Sequence, residues 1–323
     1  MRYDNFGKQT GLRVSTLILG GGMLGNAGGY GADADDVTDI LRGYVEAGGN
    51  FIDTSDAYQF GQSEVAIGEF FAGMNRDDFV IASKYSRTAS KEASVAAKGS
   101  HRKAMIQSVE ASLSRLKTDH LDLYLLHVDD KVTPIEEVAR GFEDLVAAGK
   151  IIYPGFSNTS AWRVAKAATT ANLRGWAPVA TLQIEYSLLR RSPERDLLPM
   201  AKEFSLGVMG YSPLAGGLLT GKYRKGEEGR ATILKGTVPH QDSGQSASVI
   251  DVVTAIAEEL GRTPSQIAIA WAMSKRIFTI IGPRTPAQLR DNIQAAAVEL
   301  DPETIKRLDD ASRTALAYPP GIS

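Results

Sequence analysis

The most informative absence in this sequence is cysteine, which occurs nowhere among its 323 residues. Without a thiol the chain can form no disulfide, thiolate nucleophile or cysteine-ligated metal site. Only four histidines are present, at positions 101, 120, 127 and 240, and none forms an i, i+4 pair with a nearby glutamate. We therefore predict that the protein has no zinc site and works without a metal.

An excess of one charge and long apolar runs are also missing. Lys and Arg number 36 against 38 Asp and Glu, for a net charge of −2. This balance argues against nucleic acid or an anionic membrane as the partner. No apolar run approaches the ~20 residues that a membrane-spanning helix needs, and residues 1–7 lack the apolar core of a secretory signal. We expect a cytoplasmic protein.

The sequence does contain a regular alternation of short apolar strands and amphipathic helices. We predict eight strands, at residues 16–19, 51–53, 79–83, 121–126, 151–156, 179–184, 206–211 and 278–281. Such alternation is typical of a parallel sheet covered by helices, and eight units at this length predict an α/β protein with a closed (β/α)8 TIM barrel. A doubly wound open sheet is the alternative. It is disfavoured because the glycines within 20–31 do not lead directly into a helix, as a dinucleotide-binding turn would require.

Additions to the barrel are predicted at both ends of the chain. Residues 3–15 alternate around Gly7 and Gly11 and predict an N-terminal hairpin that caps one end of the fold. An extra C-terminal helix is predicted from 302 to about 314, followed by a tail to 323. No linker rich in Pro, Gly and Ser divides the chain, so we predict a single domain over 1–323.

Polar residues of complementary chemistry follow three neighbouring predicted strands. Asp53, Lys84 and His127 end the second, third and fourth strands, and Tyr58 lies in the loop after the second. The carboxyl ends of barrel strands converge on one face, so these four side chains can meet there. One interpretation is a buried Asp53–Lys84 ion pair that only closes the mouth of the barrel. The other is a catalytic site.

The catalytic interpretation assigns each side chain a role. A free tyrosine has a pKa of about 10, and a nearby ammonium group lowers the pKa of a phenol by stabilising the phenolate. We expect Lys84, paired with Asp53, to lower the pKa of Tyr58 so that Tyr58 acts as a general acid. His127 would hydrogen-bond a substrate carbonyl beside that phenol.

At this point the chain resembles the aldo-keto reductase family, over residues 17 to about 297. Asn50-Phe-Ile-Asp-Thr-Ser-Asp-Ala-Tyr58 with Gly61-Gln-Ser-Glu64 is similar to the family's Asp and Tyr segment. Ile81-Ala-Ser-Lys84 resembles its Lys strand, and Leu121-Asp-Leu-Tyr-Leu-Leu-His127 its His strand. The resemblance implies a catalytic tetrad of Asp53, Tyr58, Lys84 and His127.

The resemblance also implies a nicotinamide site in the second half of the chain. Ser157 and Asn158 match residues that hold the nicotinamide carboxamide, Gln183 the residue that joins them, and Tyr211 the aromatic that stacks on the ring. The side chains that hold the carboxamide, together with the tyrosine ring stacked on the nicotinamide, would determine which side of the nicotinamide presents its hydride. Gly22, Met23 and Asp53 are assigned to the same cofactor site.

The remaining cofactor contacts that the resemblance implies concern phosphate groups. Ser212, Leu214, Gly216 and Lys222 match positions near the pyrophosphate, and residues 223–246 are expected to fold over the bound cofactor. Gly282, Arg284, Gln288 and Asn292 match the adenosine end, where Arg284 at a helix start would face a 2′-phosphate. An arginine there favours NADP(H) over NAD(H).

Together these features predict an NADP(H)-dependent reductase of an aldehyde or ketone. Two alternatives are an NADPH-binding redox sensor with little turnover and a lyase that uses Lys84 as a Schiff-base nucleophile. Substrate and oligomeric state stay open, because the pocket walls are expected from loops at residues 22–31, 86–99, 127–131 and 318–323.

Overall fold

The computed structural model describes residues 1–90, 92–234 and 244–313. Eight parallel strands form a closed barrel in the order β10-β3-β4-β5-β6-β7-β8-β9, which confirms the predicted TIM barrel and excludes the open sheet. The barrel strands are β3 (Leu17–Gly20), β4 (Phe51–Asp53), β5 (Val80–Tyr85), β6 (Leu121–Leu126), β7 (Ile151–Ser157), β8 (Thr181–Glu185), β9 (Gly207–Tyr211) and β10 (Phe278–Ile281).

Helices surround this barrel and bury the outer faces of its strands. They are α1 (Ala34–Glu46), α2 (Gln62–Phe71), α3 (Arg102–Leu116), α4 (Ile135–Ala147), α5 (Ala161–Arg174), α6 (Leu197–Glu203), α7 (Arg230–Ile233), α8 (Gln245–Glu259), α9 (Pro264–Ser274), α10 (Pro286–Gln294) and α11 (Pro302–Ala311). In the part of the chain that the structure describes, no helix has the length and apolar character to cross a bilayer.

The predicted N-terminal hairpin is present and closes one end of the barrel. Strands β1 (Tyr3–Asn5) and β2 (Arg13–Ser15) pair antiparallel. Phe6, in the turn between them, packs edge-on against Phe51 at 5.3 Å and Phe278 at 5.0 Å between ring centroids. A Cβ on Gly7, whose φ is +68°, would lie 2.5 Å from the backbone nitrogen of Gly207, so only glycine allows this close approach.

Strand alternation explains which side chains enter the barrel. Successive side chains on a strand point to opposite faces. The interior cluster includes Phe51 of β4, Val80 and Ala82 of β5, and Leu123 and Leu125 of β6. Continuing each series by two residues reaches Asp53, Lys84 and His127, which therefore point inward at one end of the barrel. The apolar alternation that builds the core thus also positions the polar residues.

Several element bounds differ from prediction. Strand β5 continues through Lys84 to Tyr85, because Tyr85 is buried and stacks on Tyr124 of β6 at 5.4 Å between ring centroids. The sixth helix is shorter than expected, since Pro193 lies in a separate 3-10 turn, Ser192–Glu194. The predicted cofactor loop contains a short helix, α7, that the sequence did not indicate.

Candidate active site

A buried ion pair lies at the carboxyl end of strands β4 and β5. Lys84 Nζ lies 2.8 Å from Asp53 Oδ2 and donates to the backbone oxygen of Thr54 at 2.7 Å. The side chains of Lys84 and Asp53 are 0% and 2% exposed. Burial lowers the pKa of Lys84, but the Asp53 carboxylate and the Tyr58 phenol more than offset this and hold that pKa above its usual value. Lys84 is therefore a cation at neutral pH.

Tyr58 lies against this ion pair. Lys84 Nζ donates to the Tyr58 hydroxyl at 3.2 Å, and the ammonium is 4.6 Å from the ring centroid. Burial raises the pKa of Tyr58, Lys84 lowers it and Asp53 raises it, and the net direction is upward. The expected contribution of Lys84 is therefore present, but burial and the neighbouring carboxylate outweigh the ammonium, so the pKa of Tyr58 is not lowered overall. Tyr58 is a protonated phenol at neutral pH.

A strained turn holds Tyr58 in place. Gln59 and Phe60 both adopt left-handed backbone angles, with φ of +50° and +54°. The Gln59 side chain accepts from Gly28 N at 2.7 Å and donates to the carbonyl oxygens of Gly22 and Tyr30 at 3.1 and 3.0 Å. Such strain persists only where surrounding contacts impose it, and it is common at functional sites. The turn joins Tyr58 to the loop after β3.

His127 lies beside Tyr58 on the neighbouring strand. The two rings meet edge to face, with centroids 5.5 Å apart. His127 Nδ1 is 3.0 Å from Ser55 Oγ, which leaves Nε2 as the ring nitrogen that a substrate can reach. Burial, Lys84 and Arg87 hold the pKa of His127 well below its usual value. The imidazole is therefore neutral, and its tautomer decides whether Nε2 can donate a hydrogen bond.

The predicted carboxamide-binding residues come together on strands β7 to β9. Asn158 Nδ2 donates to Ser157 Oγ at 3.0 Å and to the backbone oxygen of His127 at 2.9 Å. The Tyr211 hydroxyl donates to Asn158 Oδ1 at 2.8 Å. Burial and Glu185 raise the pKa of Tyr211 to about 12. Tyr58 also raises the pKa of Tyr211, so these side chains lie near Tyr58 at the same end of the barrel.

Gln183 contacts the buried ion pair from strand β8. It lies opposite Ser157 in the β7–β8 register, near the residues with which it is expected to hold the carboxamide. Its Nε2 donates to Asp53 Oδ1 at 2.7 Å. Gln183 therefore links the predicted carboxamide-binding residues to the Asp53–Lys84 ion pair.

The segment after β9 is unusually strained. Ser212, Ala215, Gly216 and Gly217 all have positive φ, between +48° and +94°. Leu214 packs on the core, and the carbonyl oxygen of Gly216 accepts from the Tyr223 hydroxyl at 2.8 Å. The predicted pyrophosphate residues therefore lie in a tight turn whose backbone neighbours hold it in one conformation.

Three cations lie close together beyond this turn, two of them at Tyr30. The Arg284 guanidinium lies over the Tyr30 ring, 4.3 Å from its centroid. Arg230, the first residue of α7, lies close enough to Tyr30 to lower the pKa of its hydroxyl, and the Nε of Arg230 is buried without a hydrogen-bond partner among the described residues. Burial and Arg284 lower the pKa of Lys222. Half-buried cations that disfavour one another fit a site for a polyanion.

The remaining predicted cofactor residues lie along the same cleft. Gly22 and Met23 form a 3-10 turn after β3. A Cβ on Gly22 would lie 3.9 Å from the Tyr58 ring, and one on Gly282 would lie 3.9 Å from Met23. Gln288 Oε1 accepts from Arg284 N at 2.9 Å. Asn292 is buried on the same helix, α10.

Sequence reasoning missed several residues of the site. Ser55 and Asp56 lie between Asp53 and Tyr58 and are buried, and the second carboxylate so close to the first was a signal that could have found them. No sequence pattern indicates Arg230 as a site residue, because its position depends on how residues 222–234 fold against the rest of the chain. Within the described ranges, no group of three or more His, Asp or Glu residues is arranged to hold a metal ion.

Two predicted features extend beyond the described residues. The tail 318–323, expected to contribute to the pocket wall, lies outside them. Residues 235–243, within the loop expected to cover the cofactor, also lie outside, whereas residues 223–234 fold against Tyr30 and the strained turn.

Comparison with known proteins gives consistent matches over almost the whole chain. The model of the Aldo/keto reductase family matches residues 16–313. An uncharacterized oxidoreductase, YrpG of Bacillus subtilis, is 36% identical over 96% of this chain and 95% of its own length. The putative aryl-alcohol dehydrogenase AAD14 of Saccharomyces cerevisiae is 35% identical over 98% of this chain and 88% of its own. Norsolorinic acid reductase of Aspergillus flavus is 34% identical over 96% of this chain and 80% of its own length.

Proposed function

Because the chain belongs to the aldo/keto reductase family, whose members are oxidoreductases that use nicotinamide cofactors, we propose that it reduces an aldehyde or ketone to an alcohol with NADPH. The observation that carries the proposal is the contact of Lys84 Nζ with both Asp53 and the Tyr58 hydroxyl, 2.8 and 3.2 Å away. It joins a proton donor to a fixed cation beside His127. A buried ion pair that only closed the barrel would have no need of the phenol.

The side chains divide the work of carbonyl reduction. When bound, the reduced nicotinamide supplies the hydride. In the tautomer that carries its proton on Nε2, His127 donates a hydrogen bond to the carbonyl oxygen and holds it beside Tyr58. Tyr58 gives its hydroxyl proton to that oxygen as negative charge develops there. Lys84, charged at neutral pH, stabilises the phenolate that remains, and Asp53 keeps Lys84 in place.

The raised pKa of Tyr58 is compatible with this role. An acid must hold its proton until the oxygen becomes basic, and a phenol with a raised pKa does so at every pH near neutrality. Lys84 then matters most after proton transfer, when the phenolate oxygen and the ammonium are adjacent in a buried site. The ammonium is already in position, so little reorganisation accompanies the reaction.

The charges of the cleft favour the phosphorylated cofactor. Arg230 and Arg284 lie at Tyr30, Lys222 lies near Arg284, and the Nε of Arg230 lacks a protein acceptor among the described residues. The pyrophosphate and 2′-phosphate of NADPH supply acceptors for these cations. Ser157, Asn158 and Tyr211 offer hydrogen-bonding groups for a carboxamide. NADPH is therefore proposed as the preferred cofactor, over NADH.

The two alternatives have less support. A Schiff-base lysine needs a free lone pair, but Lys84 Nζ donates to Asp53, Thr54 and Tyr58 and is fully buried. A redox sensor does not require Tyr58, Lys84, Asp53 and His127 to adjoin one another as they do. The names of the relatives also point to turnover, one on aryl alcohols and another on norsolorinic acid.

Two measurements on the purified chain test the proposal. NADPH fluorescence titration reports cofactor binding, with NADH titrated as the comparison. Consumption of NADPH is then followed with a panel that begins with substituted benzaldehydes and aryl ketones and extends to aliphatic aldehydes and sugars. Binding with turnover supports the reductase. Binding without turnover on every carbonyl would favour the sensor, and absence of binding would overturn the proposal.

A further inference from the structure

A second polar cluster contacts His127 at its Nδ1 nitrogen. Ser55 Oγ is 3.0 Å from His127 Nδ1 and 3.1 Å from Asp56 Oδ1, and it accepts from Ala57 N at 3.2 Å. Ser55 and Asp56 are 0% and 2% exposed. The other carboxyl oxygen, Asp56 Oδ2, is buried and has no hydrogen-bond partner in the described part of the chain. The mechanism above uses none of these groups.

We propose that Asp56 is a positioning residue which, acting through the Ser55 hydroxyl, selects the ring nitrogen of His127 that carries the proton. The inference rests on the carbonyl reduction proposed above, in which His127 Nε2 donates to the substrate. When Asp56 is protonated, the ring proton of His127 is on Nε2, which can donate to the substrate. When Asp56 is ionised, the ring proton is on Nδ1.

Counting hydrogens at Ser55 leads to this assignment. A hydroxyl has one proton and two lone pairs, and Ala57 N–H occupies one lone pair. An ionised Asp56 can only accept, so Ser55 donates to it and must accept from His127 Nδ1–H. Nε2 is then bare and faces the cleft as an acceptor, which cannot bind a carbonyl oxygen.

Protonation of Asp56 reverses the direction of both hydrogen bonds. The carboxyl proton is donated to Ser55, and Ser55 turns its own proton to His127 Nδ1. The single ring proton of the neutral imidazole then resides on Nε2, where it can be donated to a carbonyl. Asp56 takes up one proton from solvent in this change, the Ser55 proton reorients, and the ring proton moves between nitrogens by exchange with solvent.

The residues around Asp56 favour its protonated form more strongly than water does around an exposed carboxylate. Glu64 of α2 faces it, and the hydroxyl of Ser108 and the guanidinium of Arg115 approach from α3. Tyr124 faces it from β6. Arg115 is engaged by Glu64 at 2.7 Å, which limits its effect on Asp56. Burial and Glu64 raise the pKa of Asp56 to about 6.

The two states of Asp56 therefore exchange close to neutral pH. Burial and Lys84 hold the pKa of His127 well below its usual value, which favours the neutral imidazole. Tyr58 stays protonated, since its pKa is raised. A change of His127 tautomer near pH 6 is therefore attributed to Asp56. Carbonyl reduction should be favoured below this pH.

The direct test is the tautomer of His127, read by nitrogen NMR of protein labelled with 15N-histidine. The sequence has only four histidines, and a His127→Gln variant identifies the signals of interest. We expect Nε2 to be the protonated nitrogen below about pH 6 and Nδ1 above it. A tautomer that stays the same from pH 5 to 8 would overturn the proposal, and this readout does not depend on turnover.

Variants locate the titrating group. Asp56→Asn should lock one tautomer over the whole range, and Ser55→Ala should uncouple the ring from pH. Glu64→Gln removes the negative charge that repels an ionised Asp56 but does not touch Ser55. This variant should keep the pH-dependent change of His127 tautomer and move the midpoint of that change to lower pH. Asp77→Asn, at an exposed acid on the opposite end of the barrel, should leave the midpoint unchanged. A midpoint that persists in Asp56→Asn contradicts the proposal.

Kinetics supply the functional consequence. Loss of one hydrogen bond to the carbonyl should reduce kcat/KM for aldehyde reduction by about tenfold as pH rises through this range. That decrease should vanish in Asp56→Asn. A wild-type protein that reduces no carbonyl at any pH would contradict the reductase, whereas a decrease that is unchanged in Asp56→Asn would contradict only the role of Asp56.

Discussion

Gln183 Nε2 donates a 2.7 Å hydrogen bond to Asp53 Oδ1, although 130 positions separate the two residues. Lys84 satisfies the other oxygen of the same carboxylate. Asp53 therefore has a donor on each oxygen inside a closed barrel. Burial raises the pKa of Asp53, whereas these two donors lower it and favour the ionised carboxylate. The buried Asp53–Lys84 pair thus depends on a residue from the second half of the chain.

Replacing Gln183 with Met should destabilise the fold. The variant leaves Asp53 Oδ1 buried without its donor, at a cost of about 1–3 kcal/mol. Urea unfolding followed by circular dichroism measures the change. Gln107→Met, on the exposed face of α3, is the matched control and should alter stability by no more than about 0.5 kcal/mol. Equal effects in the two variants would argue against a structural role for the Gln183 amide.

Removing the Tyr58 hydroxyl should abolish most turnover while leaving cofactor binding intact. General acid catalysis contributes about 10²–10⁴ in rate, so kcat for aldehyde reduction in Tyr58→Phe should fall by that factor. The NADPH dissociation constant, measured by fluorescence, should stay within about twofold. Tyr3→Phe, in the hairpin at the other end of the barrel, should behave as wild type. Retained turnover in Tyr58→Phe would remove Tyr58 as the acid.

Removing both charges of the Asp53–Lys84 pair should restore stability that each single variant loses, but it should not restore turnover. Lys84→Met leaves Asp53 buried without its counter-ion and should destabilise the protein by about 3–5 kcal/mol, as should Asp53→Leu for Lys84. The double variant removes both charges and should recover much of that loss, because two buried charges no longer need compensation. Turnover should be lost in all three variants, since none retains the ammonium beside Tyr58 together with its carboxylate partner.

Arg284 should determine the preference for the phosphorylated cofactor. A charge-assisted hydrogen bond contributes about 1.5–3 kcal/mol, so Arg284→Ala should weaken NADPH binding by roughly 10- to 100-fold and change NADH binding much less. Arg290→Ala removes an equal charge from the exposed face of α10 and should change neither. Equal losses for NADPH and NADH in Arg284→Ala would mean that Arg284 does not contact the 2′-phosphate.

The raised pKa of Asp56 predicts how stability depends on pH. An acid with a pKa of 3.8 in the unfolded chain and about 6 in the fold holds its proton more tightly when folded. It therefore favours the fold at low pH and loses that contribution as pH rises from about 4 to 6. At 1.36 kcal/mol per pKa unit, the loss at neutral pH amounts to about 3 kcal/mol.

Comparing wild type with Asp56→Asn isolates this contribution. The amide cannot ionise, so the stability of the variant relative to wild type should increase between pH 4 and pH 6 and then level off above pH 7. Urea unfolding at several pH values measures the difference. A constant difference across this range would show that the pKa of Asp56 is not raised in the fold.

Much of the site follows from local sequence pattern. The alternation Phe51, Asp53 on one strand, Val80, Ala82, Lys84 on the next and Leu123, Leu125, His127 on a third places the polar residues on the inner face, because strand side chains alternate with a period of two. The number and spacing of strands then close the barrel and bring the three neighbouring strand ends together. No distant contact was needed for these expectations.

Only the tertiary structure decided the electrostatics and the remaining contacts. The pKa of Tyr58 moves upward because burial outweighs Lys84, and burial is a property of the folded chain. Gln183 binds Asp53, Arg230 lies at Tyr30 and Arg115 lies near Asp56, in each case between segments distant in sequence. The sequence by itself determined the fold and which side chains face the cleft, since both depend on periodicity. The charge states and hydrogen-bond partners depend on distances and solvent exclusion that only the closed, packed barrel sets.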